Sequence, residues 1–329
     1  MTSRVLPADE IIAVDGGPAF WRDEAALQDA LREPVPRIPP VFGYDERGSE
    51  LFEEITRLPS YYLTRVEWHL LREFGPQIGA VLDGAWFAEL GCGSGKKTVT
   101  LLGEAHVRPA AYLPVDVSHD MLGVAAAEAR AAVPALRVQP LWGRYDAALT
   151  WLRAQERAEP LIVGFLGSSI GNMTPDERSA LLADIAATLR PGDGLLFSAD
   201  LHKPAAVFED CYNDPPGHTA FVRFRRNHLD HLNHRFGADF VTDRYVPRAH
   251  YVEATGMVEG LLHVTEDHTV DVAGVHLDLH RGDAINVGYS AKFDRARLRA
   301  EIEGHGLAHA GSWVDAGWQY GVFLAWRTP

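Results

Sequence analysis

A short apolar segment that runs into three closely spaced glycines is the feature that most restricts how this chain can fold. Residues 87–98 read FAELGCGSGKKT, with the glycines at 91, 93 and 95. Glycine permits the backbone angles of a tight strand-to-helix turn and lets the main chain approach a ligand closely. The segment therefore predicts a buried strand, a ligand-binding turn and a helix in succession.

Strand and helix patterns alternate from residue 65 to residue 202. They predict strands at 86–90, 111–115, 161–166 and 194–199, and helices at 118–132 and 175–189. Ser118 is placed to cap the first of these helices, and Pro175 begins the second. Such alternation is typical of a doubly wound α/β domain, which a helix at 295–304 and a strand at 321–326 would complete.

The remaining segments differ in character from this alternation. Residues 203–290 are rich in histidine and aromatic residues, whereas the N-terminal arm combines charge with proline. These features predict a smaller unit assembled from the arm and an insertion. We therefore expect an α/β fold with a Rossmann-like domain of residues 65–202 plus 291–329, and a second, smaller α+β substrate-binding domain of residues 1–64 plus 203–290.

The spacing of the glycines separates three classes of cofactor. A phosphate-binding P-loop needs four residues between its glycines and Ser or Thr after the lysine, but here three residues intervene and Lys97 follows Lys96. A dinucleotide fingerprint needs GxGxxG, so a third glycine at 95 weakens an NAD site without excluding it. A GxGxG turn suits S-adenosylmethionine (SAM), with Asp116 at the next strand end accepting the ribose hydroxyls. A tight turn without a ligand is the structural alternative.

A second polar loop, FLGSSIGNMTP at 165–175, follows the predicted strand 161–166. Ligands of open α/β sheets collect outside the carboxyl ends of the strands, which is where Gly167, Ser169 and Asn172 would lie. Asn172 is equally suited to capping a helix or closing a turn.

Composition excludes several classes of partner. A net charge of −14 without a Lys/Arg cluster argues against nucleic acid. The two cysteines, Cys92 and Cys211, have neither a disulfide framework nor a zinc-ligand spacing, which favours a reducing compartment. We see no signal peptide and no apolar run long enough to span a bilayer. We expect a cytoplasmic monomer that acts on a small molecule.

Three histidines, His228, His231 and His234, recur at helical spacing in NHLDHLNHRF. The spacing would place them on one helical face, as metal ligands require. No carboxylate ligand pattern accompanies them, so we expect a solvated or domain-contact face and no metal.

Six sequence blocks occur in the order found in one known family: YDERGSELFEEITRLPSYYLTR, ELGCGSGKKT, PVDVS, FLGSSIGNMTP, LRPGDGLLFSADL and SAKF. From about residue 40 to its end, the sequence resembles the histidine Nα-methyltransferases of ergothioneine biosynthesis. The resemblance implies a Rossmann-like SAM-dependent methyltransferase domain with a second domain. It also implies metal-free methylation of the α-amino group of a free amino acid, with S-adenosylhomocysteine as the product.

The resemblance also implies roles for individual residues. Tyr44 and Asn172 match positions that hold the substrate's amino and carboxylate groups, Tyr61 lies near the reacting amine, and Tyr212 grips the carboxylate. Tyr61, Asn172 and Tyr212 form the expected catalytic set. Lys97 is available to the SAM carboxylate. The cofactor-binding residues expected from the turn and the family together are Glu89, Gly91, Gly93, Gly95, Lys97, Asp116, Tyr145 and Asp146.

The chain departs from the family near the adenine. Where the family usually has an acidic residue followed by Phe, this sequence has Arg144 and Tyr145. The adenine amino contact is therefore expected from Asp146 or a backbone carbonyl.

Two further departures concern the substrate side chain. The family's histidine-specific member has a glutamate two residues before a serine, and in this sequence Gly288 occupies the position of that glutamate before Ser290. Gly260 aligns with a methionine of that member's pocket wall. Both changes should enlarge the cavity and remove the acceptor for an imidazole N–H, which relaxes or redirects specificity. A bulkier aromatic amino acid such as tryptophan is expected, with Asn286 or Tyr289 as new contacts. The alternative is a pocket that still takes histidine through displaced partners.

Three other functions remain open from the sequence. The enzyme could methylate a ring nitrogen of histidine or a histidine conjugate. The fold could serve as a non-catalytic SAM or amino-acid sensor, or the turn could hold NAD in an oxidoreductase.

Overall fold

The structure is a computed structural model that describes residues 10–16, 21, 24–105 and 107–329. Among these residues the chain divides into two compact units. The first unit contains residues 10–16, 63–202 and 293–329, and the second unit contains residues 21, 24–62 and 203–292.

The helices and strands follow one another along the chain, with short 3₁₀ turns between some of them. In chain order they are β1 (Ile12–Ala13), α1 (Glu24–Leu31), α2 (Glu46–Ile55), α3 (Tyr62–Glu73), α4 (Gly75–Gly79), β2 (Trp86–Leu90), α5 (Lys96–Ala105), β3 (Ala111–Asp116), α6 (His119–Ala132), β4 (Leu141–Trp142), α7 (Tyr145–Arg153), β5 (Leu161–Phe165), α8 (Pro175–Thr188), β6 (Gly194–Asp200), α9 (Ala205–Cys211), α10 (Ala220–Phe236), β7 (Tyr245–Val252), β8 (Met257–Val264), β9 (His268–Val272), β10 (Val275–Leu279), β11 (Ala284–Ala291), α11 (Arg295–Gly304), β12 (Leu307–Asp315) and β13 (Tyr320–Arg327).

The first unit is built on a sheet whose strand order, within the described part of the chain, is β1-β4-β3-β2-β5-β6-β13-β12. Neighbours from β1 to β6 run parallel, and β13 is antiparallel to both β6 and β12. This mixed sheet confirms the predicted α/β, Rossmann-like fold. The strand order reverses between the paired strands β2 and β5, and ligands bind at the carboxyl ends of strands at such a switch point.

Local sequence explains the central elements. Every residue of β2, β5 and β6 is buried, as expected for parallel strands covered on both faces. The Ser118 side chain accepts from the Met121 amide and caps α6, which confirms the predicted cap. Thr174 and Glu177 form a capping box at the start of α8.

The second unit contains a three-stranded antiparallel sheet in the order β11-β8-β7 and a hairpin of β9 with β10. Residues 268–279 thus form two antiparallel strands. Ala273 and Gly274, with φ angles of 49° and 75°, form the turn between them.

The observed units differ in two places from the predicted range 1–64 of the substrate-binding domain, because residues 10–16 and 63–64 belong to the first unit. Residues 291–292, predicted for the Rossmann-like domain, belong to the second unit. Ile12 and Ala13 pair with Leu141 and Trp142 of β4, so this short segment extends the sheet of the first unit. Residues 1–9, 17–20, 22 and 23 of that predicted range, and residue 106 of the other domain, lie outside the described residues.

The histidine run also differs from expectation. His228 and His231 are buried on α10, and only His234 is exposed, so of the two predicted alternatives, a solvated or a domain-contact face, the solvated one is wrong for two of the three. Burial lowers the pKa of His228 to about 4, which keeps this imidazole neutral at physiological pH. Within the described ranges no cluster of three or more potential metal-ligating side chains occurs, and no helix is long and apolar enough to cross a bilayer.

Candidate active site

The glycine turn follows β2 and has the left-handed backbone that its sequence predicts. Gly91, Gly93 and Gly95 have φ angles of 69°, 51° and 70°. A Cβ at Gly91 would lie 2.6 Å from the Tyr145 hydroxyl, and one at Gly95 would lie 2.9 Å from the Ala125 Cβ. At Gly93 a Cβ would meet open space among the described residues. The turn therefore leaves one stretch of backbone open to a ligand.

Asp116 ends β3 beside this turn. Its Oδ2 accepts from the Gly93 amide and its Oδ1 from the Ser118 amide, each at 2.9 Å. A carboxylate has about four acceptor sites, so each oxygen keeps capacity for a hydroxyl group. Burial raises the pKa of Asp116, and the amide donors oppose that shift. The orientation fits a nucleoside ribose laid against the turn.

Glu89, expected among the cofactor contacts, is only 2% exposed beneath the turn. Its Oε2 accepts from the Thr98 hydroxyl at 2.7 Å and from the Tyr112 hydroxyl at 2.5 Å. Burial raises its pKa to about 7 against the opposing effect of these hydrogen bonds. The carboxylate therefore ties α5 to β3 and shapes the turn.

Lys97, at the start of α5, is held by a carboxylate that the sequence reasoning missed. Its Nζ lies 2.6 Å from Oε2 of Glu67, a fully buried residue of α3. Glu67 Oε1 accepts from the Gly167 amide at 2.8 Å. An ammonium group has three donors, so Lys97 can bind Glu67 and still donate to a ligand carboxylate. Glu67 thus joins the glycine turn to the loop after β5.

The loop after β5 is held in a conformation that side chains rarely adopt. Ser168 has a φ of 56°, and such residues persist where surrounding contacts fix them. Its amide donates to the Ser198 hydroxyl at 2.9 Å, and its hydroxyl accepts from the Asp200 amide at 3.0 Å. Tyr320 in turn donates to the Ser198 hydroxyl at 3.1 Å. These buried contacts fix the loop relative to the sheet.

The predicted substrate residues of this loop follow directly. The Ser169 hydroxyl donates to the Leu166 carbonyl at 2.8 Å, which commits it to the turn. Asn172 is half-buried and closes the 3₁₀ turn Ser169–Gly171 through its own amide. This backbone role leaves its side-chain amide as the candidate ligand group.

The adenine region contains another acidic residue that the sequence reasoning did not select. Arg144 Nε lies 2.9 Å from Asp15 Oδ2 and 3.7 Å from Asp146 Oδ1. The Asp146 side chain is 61% exposed, whereas that of Asp15 is 17% exposed. Asp15, on the segment after β1, brings a carboxylate to Arg144, where the family usually has an acidic side chain.

In the second unit, the three predicted tyrosines meet in one aromatic cluster. The Tyr61 ring lies 6.1 Å from the Tyr212 ring and 6.3 Å from Phe52, which is itself 5.6 Å from Tyr44. Phe221 packs on both Tyr61 and Tyr212. Residues from three distant parts of the sequence therefore form one surface.

The Tyr212 hydroxyl belongs to a buried polar triangle. It lies 2.8 Å from the Ser290 hydroxyl, and Lys292 Nζ donates to both oxygens at 2.7 and 2.9 Å. Lys292 is only 4% exposed. The sequence showed this lysine in its SAK segment but gave no reason to select it.

The two specificity glycines are directly paired across β8 and β11. A Cβ at Gly288 would meet open space among the described residues, as predicted, but one at Gly260 would lie 3.3 Å from Arg225 Nε. The expectation that both glycines enlarge the cavity is therefore wrong at Gly260, where Arg225 takes the space.

The two residues expected as new contacts differ in position. Asn286 is buried, and its Oδ1 accepts from the Gly288 amide at 2.9 Å across a β-bulge. Tyr289 points to the opposite face of β11 from its neighbours Gly288 and Ser290, because successive strand residues alternate. Tyr289 is therefore not a contact of the face that carries Gly288.

Comparison with known proteins identifies the family. The sequence pattern of the family described as histidine-specific, SAM-dependent methyltransferase matches residues 23–327. The chain belongs to this family. It is therefore a SAM-dependent amino-acid N-methyltransferase, as the resemblance in the sequence predicted.

Relatives of this methyltransferase include two mycobacterial proteins of nearly equal length. Histidine N-alpha-methyltransferase of Mycobacterium tuberculosis is 32% identical, with 98% of this chain and 99% of the relative covered. The protein of the same name from Mycolicibacterium smegmatis is 34% identical over 97% and 98%. An L-tryptophan methyltransferase of Psilocybe serbica is 25% identical over 90% of each chain.

Proposed function

We propose that this methyltransferase transfers a methyl group from SAM to the α-amino nitrogen of a free aromatic amino acid bulkier than histidine, with tryptophan as the leading candidate. The observation that carries the proposal is the open space at Gly288 on the face that also bears Ser290. A relative named for tryptophan supports the same choice.

The polar triangle of Tyr212, Ser290 and Lys292 is suited to an anion. Its two hydroxyls and its ammonium group can all donate hydrogen bonds, and charge-assisted hydrogen bonds to carboxylates are about twice as strong as neutral ones. We assign the substrate carboxylate to the Tyr212 and Ser290 hydroxyls, with Lys292 behind them. This assignment favours a free amino acid over an ester, an amide or a peptide-bound residue.

The reacting amine needs an orienting group more than a strong base. A free α-amino group has a pKa of about 8, so part of it is neutral near pH 7. We assign the orientation of its lone pair to the Tyr61 hydroxyl and assign a further substrate contact to Tyr44. Positioning of this kind lowers the barrier by removing rotational freedom before reaction.

The first unit holds the cofactor through groups of fitting chemistry. Asp116 accepts the ribose hydroxyls, Lys97 donates to the carboxylate of the methionine part, and the open backbone at Gly93 lies beside Asp116, to which its amide donates. When bound, SAM supplies an electrophilic methyl group on a sulfonium that leaves readily. The chain's own residues therefore need only bind and align the two reactants.

A substrate panel tests this proposal. The enzyme is incubated with methyl-labelled SAM and tryptophan, tyrosine, phenylalanine or histidine, and kcat/KM is measured for each. We expect tryptophan to exceed histidine. A ranking with histidine first would overturn the choice of substrate, and absence of turnover with every amino acid would support a sensor instead.

A further inference from the structure

We infer that Arg225 makes the side-chain subsite of the second unit cationic, and that this subsite selects a neutral, electron-rich aromatic side chain. The inference rests on the proposed function and extends it, because it states which physical property of the side chain is recognised. It concerns a residue that no sequence motif selected.

Arg225 lies on α10 with only 5% of its surface exposed. Its Nη2 donates to the Tyr212 carbonyl at 2.5 Å, and its guanidinium carbon lies 4.9 Å from the centre of the Phe221 ring. Burial lowers its pKa to about 10, so the group stays charged at neutral pH. The chain therefore keeps a fixed, buried cation beside the tyrosine assigned to the substrate carboxylate.

The two paired glycines give this cation access to a ligand. Directly paired residues of antiparallel strands point to the same face, so the open space at Gly288 and Arg225 Nε, which would lie 3.3 Å from a Cβ at Gly260, are on one face. A substrate ring that fills the space over Gly288 would come within reach of the guanidinium. Ser290, two residues further along β11, lies on this face as well.

The charge environment favours a neutral ring over a charged one. A cationic side chain, such as imidazolium, would be repelled by the buried guanidinium. An anionic side chain would compete with Asp214, whose charge already favours the protonated form of Arg225. A neutral aromatic ring binds a guanidinium through its electron-rich face, which is the cation–π arrangement that Phe221 already shows.

A fluorine series on the substrate measures this interaction. Fluorine withdraws electron density from an indole ring with little change in shape, so tryptophan, 5-fluorotryptophan and 5,7-difluorotryptophan differ mainly in cation–π strength. In the wild-type enzyme we expect kcat/KM to fall roughly two- to three-fold with each fluorine. The same kcat/KM for all three would overturn the inference.

Substitutions of Arg225 test whether this residue causes the dependence of kcat/KM on fluorination. Arg225→Met, which keeps the length of the side chain, should remove the fluorine dependence and lower kcat/KM for tryptophan about ten-fold. Arg225→Lys should keep the dependence. Arg223→Met, on the same helix but paired with the exposed Glu54, is the matched control and should behave as wild type. A fluorine dependence that survives in a folded Arg225→Met protein would contradict the inference.

Charged substrate analogues separate the remaining outcomes. The wild-type enzyme should have a lower kcat/KM for the cationic 4-aminomethylphenylalanine than for phenylalanine. A strong preference for the anionic 4-carboxyphenylalanine would indicate an anion site instead and overturn the choice of a neutral ring. Should no aromatic amino acid be methylated, the proposed function fails together with this inference. Should tryptophan be methylated without any dependence on Arg225, the inference alone fails.

Discussion

The carboxylate of Glu67 lies 2.6 Å from the ammonium nitrogen of Lys97. Through its other oxygen, Glu67 accepts a hydrogen bond from the Gly167 amide, so one buried side chain fixes both Lys97, which we assign to the cofactor, and the loop after β5. Removal of one partner of a buried pair disturbs the other, because the remaining charge is left uncompensated.

Glu67→Gln should therefore raise the KM for SAM about ten-fold with a smaller effect on kcat, since Gln keeps an acceptor for Gly167 but no longer fixes Lys97. Steady-state kinetics at saturating amino acid give the split. In a Lys97→Met background the same change should add little, because residues that share one interaction are not additive. Glu73→Gln, at the exposed end of the same helix, is the control. An unchanged KM in Glu67→Gln would refute the role.

Glu89 should give the first unit a pH-dependent stability. Its folded pKa is about 7, above the ordinary value of 4.5. At pH values below 4.5 the Glu89 side chain is protonated in both the folded and the unfolded protein. As the pH rises toward 7, only the unfolded protein loses this proton, so the free energy of unfolding falls by on the order of 3 kcal/mol. Glu89→Gln should lack this fall. Urea unfolding of both proteins between pH 5 and pH 8 measures it, and parallel profiles would contradict the prediction.

Lys292 should determine the preference for a free carboxylate. We expect Lys292→Met to lower kcat/KM for the amino acid about 10- to 100-fold, because the substrate carboxylate loses a charge-assisted hydrogen bond. The kcat/KM for the corresponding amino amide should change little, because the amide carries no negative charge. Lys203→Met removes a cation that also lies over the Phe208 ring and serves as the control. Equal losses for acid and amide would indicate a structural role only.

Gly288→Glu should move the substrate preference toward histidine, because a carboxylate there can accept an imidazole N–H. Gly288 has space for the side chain and no positive φ, so the variant should fold. Arg225, on the same face, will compete for the new carboxylate. We therefore expect a modest rise in the kcat/KM ratio of histidine to tryptophan for the single variant and a larger one for Gly288→Glu with Arg225→Met. No change in either would refute the assigned position of Gly288.

The central strands and helices could be predicted from the sequence, because the patterns that indicate them lie within each segment. The strand Trp86–Leu90 and the helix Arg295–Gly304 have the predicted bounds, since apolar runs and helical periodicity depend on adjacent residues. Strand Leu307–Asp315 escaped prediction because most of its residues are only partly buried and a bulge interrupts its pairing. Ile12–Ala13 is too short to give any pattern.

Residues of the candidate site could be predicted only where they belong to a sequence motif or match a family position. Gly91 and Asp116 stand in recognisable blocks and Tyr212 matches a family position, and the structure has them in a turn, at a strand end and in a polar triangle. Arg225, Lys292 and Glu67 act through partners that are not adjacent in sequence, such as the hydrogen bond of Lys292 to the Tyr212 hydroxyl. Pairings of that kind depend on tertiary packing, which periodicity and spacing do not encode.

We propose that the methyl group goes to the α-amino nitrogen of a free amino acid, and the product itself shows whether it does. Fragment-ion mass spectrometry of the product formed from tryptophan and methyl-labelled SAM locates the label directly, with tryptamine and N-acetyltryptophan as parallel substrates. We expect label on the α-nitrogen of tryptophan and little or none on either analogue. Label on a ring nitrogen, or equal methylation of tryptamine, would contradict it.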